Sequence, residues 1–307
     1  MLLKTYSPLP KFPPVSLSGT ACQLNCRHCN RSYLRAMAPA LSDAELVGVC
    51  QGLRNRGAVG VLLSGGSARD GTILNLRERV DAIRQAKAET GLILNIHPGL
   101  MDEATAEALA PVIDFVSLEI PSTPTIRDVF GLDATTEDYV ATYHRLRKVG
   151  MHVAPHIAIY DGTEDRLLEP LARAPHPETI VIIVFSPTRD TPMAEVIPPS
   201  AEMVGSVIER VRASFPTSEI ALGCMRPRAQ GLRTETEVAA LDAGVTRIVL
   251  PSRQTLAVAR ARGYTVVRLE ACCALPVALE GRVPRHSDGT AARPPASSPN
   301  VAGDLTT

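Results

Sequence analysis

Short apolar runs rich in β-branched residues alternate with longer amphipathic segments along most of the chain, and that rhythm is what βα units joined into a parallel sheet require. The runs fall at residues 15–20, 59–64, 92–97, 115–120, 152–160, 179–185, 219–223 and 247–250. Between them, Ser42-Asp43-Ala44-Glu45 and Thr234-Glu235-Thr236-Glu237 read as capping boxes, in which a hydroxyl and a carboxylate satisfy free N–H groups at a helix start. Gly57, Gly91, Gly150 and Gly244 supply the stops. Leu46, Val49, Cys50 and Leu53 share one helical face, as do Leu76, Val80 and Ile83, so each helix has one stripe to bury. Eight such units predict an α/β fold of TIM type, a closed (β/α)8 barrel, with an open partial barrel as the alternative.

After the eighth run come a helix near 254–261, a further apolar run at 265–269, and Glu270-Ala271-Cys272-Cys273. From about Gly281 the chain turns to Pro, Ser, Ala, Gly and charged residues, which bury too little apolar surface to offset chain entropy. The expected organisation is one domain at 1–280 and a disordered tail at 281–307. Lys plus Arg and Asp plus Glu stand at 32 each, so no net field favours nucleic acid or an anionic membrane. No apolar run reaches the roughly 18 residues of a membrane span, and residues 1–6 lack a signal-peptide core, which points to the cytoplasm. In a reducing compartment disulfides are rare, and seven cysteines, an odd number, become metal or redox candidates.

Cys22, Cys26 and Cys29 are spaced C-x3-C-x2-C directly after the first run, in a βα loop at the barrel end where active sites are built. Such a loop can turn three soft thiolates onto three irons of a cubane and leave the fourth iron without a protein ligand. A structural zinc site asks for a fourth ligand at nearby spacing, and the next cysteine, Cys50, falls on a helix face. The motif resembles that of the radical S-adenosylmethionine (AdoMet) superfamily. The resemblance implies that Cys22, Cys26 and Cys29 hold a [4Fe-4S] cluster whose open iron is chelated by the AdoMet amine and carboxylate. It further implies reductive cleavage of AdoMet to methionine and a 5′-deoxyadenosyl radical, with electrons from a donor such as ferredoxin or flavodoxin.

Ser64-Gly65-Gly66-Ser67 ends the second run, and paired glycines at a strand end allow backbone to approach a ligand. They resemble the superfamily's glycine pair, which binds the methionine amino group; Ser67 stands where many members have an acid. Glu119 lies in an otherwise apolar run, so its carboxylate either faces the barrel mouth, toward a ribose hydroxyl, an amine or a cation, or closes a structural ion pair. Residues 155–164 loosely resemble the stretch that packs on adenine, and His97 and His156 read as satisfied core histidines. Pro187-Thr188-Arg189-Asp190-Thr191-Pro192 resembles the Pro-x-x-Gly-Thr-Pro segment of the biotin-synthase-like branch, with Asp190 in place of the glycine.

Cys224, in Gly223-Cys224-Met225-Arg226-Pro227-Arg228, and the vicinal Cys272-Cys273 pair would meet at one barrel rim. They read either as small buried hydrophobes or as ligands of an auxiliary iron–sulfur cluster, with Arg226, Arg228 or a non-protein ligand completing it. Taken with the first motif, they look most like a subunit of the two-component (archaeal-type) lipoyl synthases. That resemblance implies a sulfurtransferase inserting sulfur into an octanoylated carrier protein domain, alongside a paralogous radical AdoMet subunit. A radical AdoMet mutase or synthase without sulfur transfer, methylornithine-synthase-like, needs the first cluster alone and is the alternative.

Overall fold

Alternating inward and outward side chains on each strand divide this α/β chain into two apolar layers, one under the helices and one inside the curl of the sheet. The computed structural model describes residues 1–173, 176–229 and 231–287. Its strands are β1 (Leu2–Tyr6), β2 (Pro14–Ser16), β3 (Ala38–Pro39), β4 (Gly60–Ser64), β5 (Ile93–Ile96), β6 (Phe115–Glu119), β7 (Val153–Ile159), β8 (Thr179–Val184), β9 (Glu219–Leu222), β10 (Arg247–Val249), β11 (Thr265–Leu269) and β12 (Arg285–Ser287). The helices are α1 (Asp43–Asn55), α2 (Val80–Thr90), α3 (Glu103–Leu109), α4 (Thr136–Lys148), α5 (Leu168–Ala172), α6 (Ala201–Ser214), α7 (Leu232–Asp242) and α8 (Arg253–Ala261). None is long and apolar enough to cross a membrane among the described residues.

The strands form one sheet in the order β12-β11-β1-β10-β9-β8-β7-β6-β5-β4-β2-β3. Every pairing is parallel except β11 with β12. This is the open form of the barrel, not the closed eight-strand ring. Two features leave it open: β1, a five-residue strand that the hydrophobic rhythm does not reveal, sits between β10 and β11, and three-residue β2 pairs only with β3 and β4. At α1 the expected cap forms, with Ser42 Oγ accepting from Glu45 N and Glu45 Oε2 accepting from Leu41 N. Thr234–Glu237 does not cap a helix; the four residues lie inside α7, where Glu237 is drawn into the interior by buried Arg226.

Under the helices, Leu46, Cys50, Ile83 and Tyr143 pack on outward residues such as Leu63, Ile96 and Ile157. On the inner face, Tyr6, Phe12, Phe115, Val181, Val249 and Leu269 are covered by Ala271, Leu275 and Val283 of the C-terminal segment. A buried charged network ties that segment to the lower strand ends. Lys4 Nζ bonds Glu219 Oε1 and Glu280 Oε1, each at 2.8 Å, and Arg247 pairs with Glu219 while donating to the carbonyls of Cys273 (3.0 Å) and Leu275 (2.7 Å). Order therefore continues past Gly281, through β12 to Ser287, because Glu280 and Val283 anchor a stretch whose composition is otherwise polar. The rest of the expected tail lies outside the described residues.

Candidate functional site

The cysteine loop leaves β2 and is pinned at its root by Ser18, whose Oγ donates to Ala21 O (2.8 Å) and accepts from Gly66 N (2.7 Å). Cys26 and Cys29 turn toward each other around a tight bend, with Cys29 N and Asn30 N both donating to Cys26 O. The ligand atoms of Cys26, His28 and Cys29 lie within 4.8 Å of one another, the only such trio among the described residues. The two thiols share a hydrogen bond, which with burial pushes Cys26 far up and, helped by the Arg31 N–H, holds Cys29 down at about 7. Cys22 faces the glycine loop, its Sγ accepting from Ser67 N at 3.3 Å. The close approach needs Gly66: a Cβ there would stand 2.0 Å from Ala21 O and 2.6 Å from Cys22 Cβ. His28, which reads as a mere spacer in the sequence, is a neutral imidazole held down at about 4 by burial, with its ring 5.4 Å from that of Phe130 and Nδ1 without a hydrogen-bond partner among the described residues.

The inner wall beside this loop is polar. Ser64, Gly65 and Ser67 are half-buried at the end of β4. Glu119 ends β6, half-buried, its side chain making no hydrogen bond or ion pair to a described residue; burial first, and then the Cys29 thiolate, push its carboxyl up to about 7. The structural ion pair is thus absent among those residues and the carboxyl is open to the lumen. His97 and His156 are wall residues, not core ones, 6.1 Å apart; burial lowers them to about 4 and about 3. At the end of β7, Tyr160 stacks on Phe185 with centroids 5.3 Å apart, and buried Glu164 accepts from the N–H groups of Tyr160, Asp161 and Gly162. The loop after β8 closes over the cysteines through Tyr33 Oη and Thr188 Oγ1 (3.0 Å) and Asn30 Nδ2 and Asp190 O (3.3 Å). Asp190, expected in a glycine's place, adopts a glycine-like φ of 59°.

Residues 16–173, just over half of the chain and including this loop, the glycine pair and Glu119, match the Radical SAM superfamily. The chain belongs to the radical SAM superfamily. Its fold is similar to that of methylornithine synthase (PylB), at 20% identity over 81% of this chain and 71% of that one, with a TM-score of 0.56. HydG from Carboxydothermus hydrogenoformans, an FeFe-hydrogenase maturase, aligns at 17% identity over 86% and 67%, with a TM-score of 0.58. Streptococcus suis SuiB bound to S-adenosylmethionine aligns at 13% over 74% and 52%, with a TM-score of 0.51, so the chain spans about half the length of SuiB. No curated protein matches. In a radical SAM enzyme the residues that fit a [4Fe-4S] cluster here are Cys22, Cys26 and Cys29, three soft donors on one loop. The glycine pair that lets this loop close on β4 borders it, with Ser67 N donating to Cys22 Sγ.

The second cysteine set of this radical SAM chain is brought to the inner wall, but not into a tight trio. Cys272 is half-buried, level with Asn95, whose Nδ2 donates to its Sγ at 3.5 Å. Its hydrogen bond with Cys273 lowers the Cys272 thiol and raises the buried Cys273 thiol. Cys224 is exposed in the lumen, its thiol raised by crowding and by Cys272. Arg226 is unavailable as a cluster ligand. Its guanidinium donates to Glu237, to Gly223 O (2.7 Å) and to Val249 O (2.6 Å), all in the interior. Cys50 is fully buried on α1, as its helix-face position implies. Asn95 and Ser117 were not foreseen from sequence, since inner-wall residues of a strand carry no local mark of facing a site, whereas Tyr160 falls in the stretch 155–164 singled out there as a region without a residue assigned.

Proposed function

We propose that this radical SAM enzyme inserts sulfur into the octanoyl chain of a carrier protein domain, in the manner of two-component lipoyl synthases, beside a paralogous radical SAM subunit. The observation that carries the reading is the approach of Cys224, at the end of β9, to the Cys272-Cys273 pair after β11, close enough that Cys272 raises the Cys224 thiol and Cys224 in turn raises that of Cys273. Both segments are held by buried arginines: Arg226 on the carbonyl before Cys224, and Arg247 on the carbonyls of Cys273 and Leu275. Such anchoring suits residues that must hold an auxiliary cluster at a fixed distance from the first.

Bound AdoMet would supply a carbon radical after accepting one electron through the first cluster. The chain's own groups then have definable tasks. Cys22, Cys26 and Cys29 would hold the cluster, and Gly65 and Gly66, by letting the cysteine loop close on the end of β4, would set the backbone beside which the methionine moiety lies. Glu119, protonated or ionised near neutrality, can donate to or accept from a hydroxyl or amine. Tyr160, stacked on Phe185, gives the lumen an aromatic wall.

A second reading, a radical SAM mutase using one cluster, is favoured by the looseness of the second cysteine set. Iron and acid-labile sulfide on anaerobically reconstituted protein separate the two: about eight irons per chain support sulfur insertion, about four the mutase. In the sulfur-inserting enzyme Cys224→Ala keeps 5′-deoxyadenosine formation and loses thiolated octanoyl product. Unchanged iron in both Cys224→Ala and Cys272→Ala would end that reading.

A further inference from the structure

Asn95 is fully buried on the inner wall, next to apolar Ile93 and Phe115, where an amide is costly unless both of its ends are bonded. Its Nδ2 donates to Ser117 Oγ at 3.0 Å and to Cys272 Sγ at 3.5 Å, and its Oδ1 accepts from Ser117 Oγ at 3.2 Å. The Ala274 N–H and the Cys273 thiol bond the same Cys272 sulfur. Fully buried Arg247 fixes the backbone beside it, donating to Cys273 O (3.0 Å) and Leu275 O (2.7 Å). Of the second cysteine set, Cys273 is buried and Cys224 is exposed. Half-buried Cys272 is the one whose sulfur receives a side-chain N–H among the described residues. Donors gathered on a sulfur favour the thiolate, which is the attacking form in exchange chemistry.

We infer that Cys272 is a sulfur-loading site that takes the outer sulfur of a low-molecular-weight persulfide, with Asn95 as its positioning residue. The inference rests on the sulfur-insertion reading for the use made of that sulfur, and not for its capture. A sulfur-inserting chain gives up a sulfur atom to each product and has to regain one, so a persulfide-forming reaction must come before each turnover. Inorganic sulfide needs an oxidant to join a thiol, whereas a persulfide carries its outer sulfur already oxidised. The Cys272 sulfur attacks the outer sulfur of R–S–SH, and the new S–S bond forms as the donor's S–S bond breaks. The donor leaves as R–SH with the proton that Cys272 gave up, and a persulfide remains on Cys272; nothing else is oxidised or reduced. Cys272 lies level with Asn95, two residues along the wall from His97, so the donor has to enter the lumen. A small molecule can make that approach, while a loop of another protein meets the wall first.

The test uses the full chain, purified anaerobically and not reconstituted, treated with isotope-labelled glutathione persulfide, alkylated and mapped by peptide mass spectrometry. Expected are one labelled sulfur per chain on Cys272, the same uptake in Cys273→Ser, and none on that peptide in Cys272→Ser. Asn95→Ala should slow uptake about tenfold and move its pH profile upward, with the far-UV circular dichroism of wild type. Should Asn95→Ala fail to fold, Ser117→Ala is expected to slow uptake a few-fold. Equal labelling of Cys224 and Cys272 overturns the inference, as does uptake that ignores Asn95 and Ser117 alike. Thiolated octanoyl product from a chain that takes up no label at Cys272 overturns it too, and leaves sulfur insertion standing. Label on Cys272 together with about four irons per reconstituted chain keeps the loading site and ends the auxiliary-cluster reading instead.

Discussion

At Gly66 a methyl group decides whether the cysteine loop can close, since the added carbon would fall 2.0 Å from Ala21 O. Gly66→Ala is expected to leave the sheet folded and to strip most of the iron from the first site, read as iron content against far-UV circular dichroism. The lumen also sets a pH dependence. His97 and His156 take up protons below about 4 and about 3 in the folded chain but near 6.5, the ordinary imidazole value, when unfolded. Between those limits the unfolded state holds more protons, so stability is full above pH 6.5 and is lost as pH falls through the window. Glu119 opposes this, because its folded carboxyl keeps a proton up to about 7 whereas the unfolded one loses it above 4.5. Two imidazoles against one carboxyl leave a net slope of one proton, which Glu119→Gln should steepen and His97→Gln should flatten in denaturant midpoints measured from pH 7 to pH 4.5. The glycine pair and Glu119 were legible because each breaks a local rule, bare backbone at a strand end and a carboxylate in an apolar run. Asn95 and Ser117 break none, and come to line the inner wall only once the sheet curls.

Among the elements, the rhythm of apolar runs located β4 through β11 and most of the helices between them. It missed β1, whose five residues give too short a pattern, and misassigned Thr234–Glu237, where a cap-like spacing hides a buried acid. The Arg226–Glu237 pair joins the tops of β9, β10 and α7, with side chains 4% and 0% exposed. Arg226→Met leaves Glu237 in the interior with only Arg233 for a cation and should cost roughly 3–5 kcal/mol, read as a shifted denaturation midpoint. Replacing both, as Arg226→Met with Glu237→Leu, is expected to restore much of that loss. The same single variant frees the carbonyl of Gly223, so Cys224 should become more mobile and react faster with thiol reagents.

Over the whole molecule, the C-terminal segment is the floor of the lumen. Ending the chain after Glu270 exposes Val181, Val249 and Leu269 and leaves Lys4 and Arg247 without Glu280. That truncation is expected to yield aggregated protein, whereas a chain ending after Ser287 keeps these contacts and should melt cooperatively by near-UV circular dichroism. The sequence pattern could foretell parallel βα layering, because helix and strand periods are local. Closure could not be foretold, since it depends on which strand β1 finds. That pairing has a consequence for the order in which the molecule is made. β1 leaves the ribosome ahead of the other described strands, yet its neighbours β10 and β11 follow more than two hundred residues later. At about 5–20 residues per second it waits roughly ten to fifty seconds for them. β2, β4 and β5 emerge far earlier, so during synthesis the cysteine loop can settle on its glycine pair while the floor beneath it is still missing.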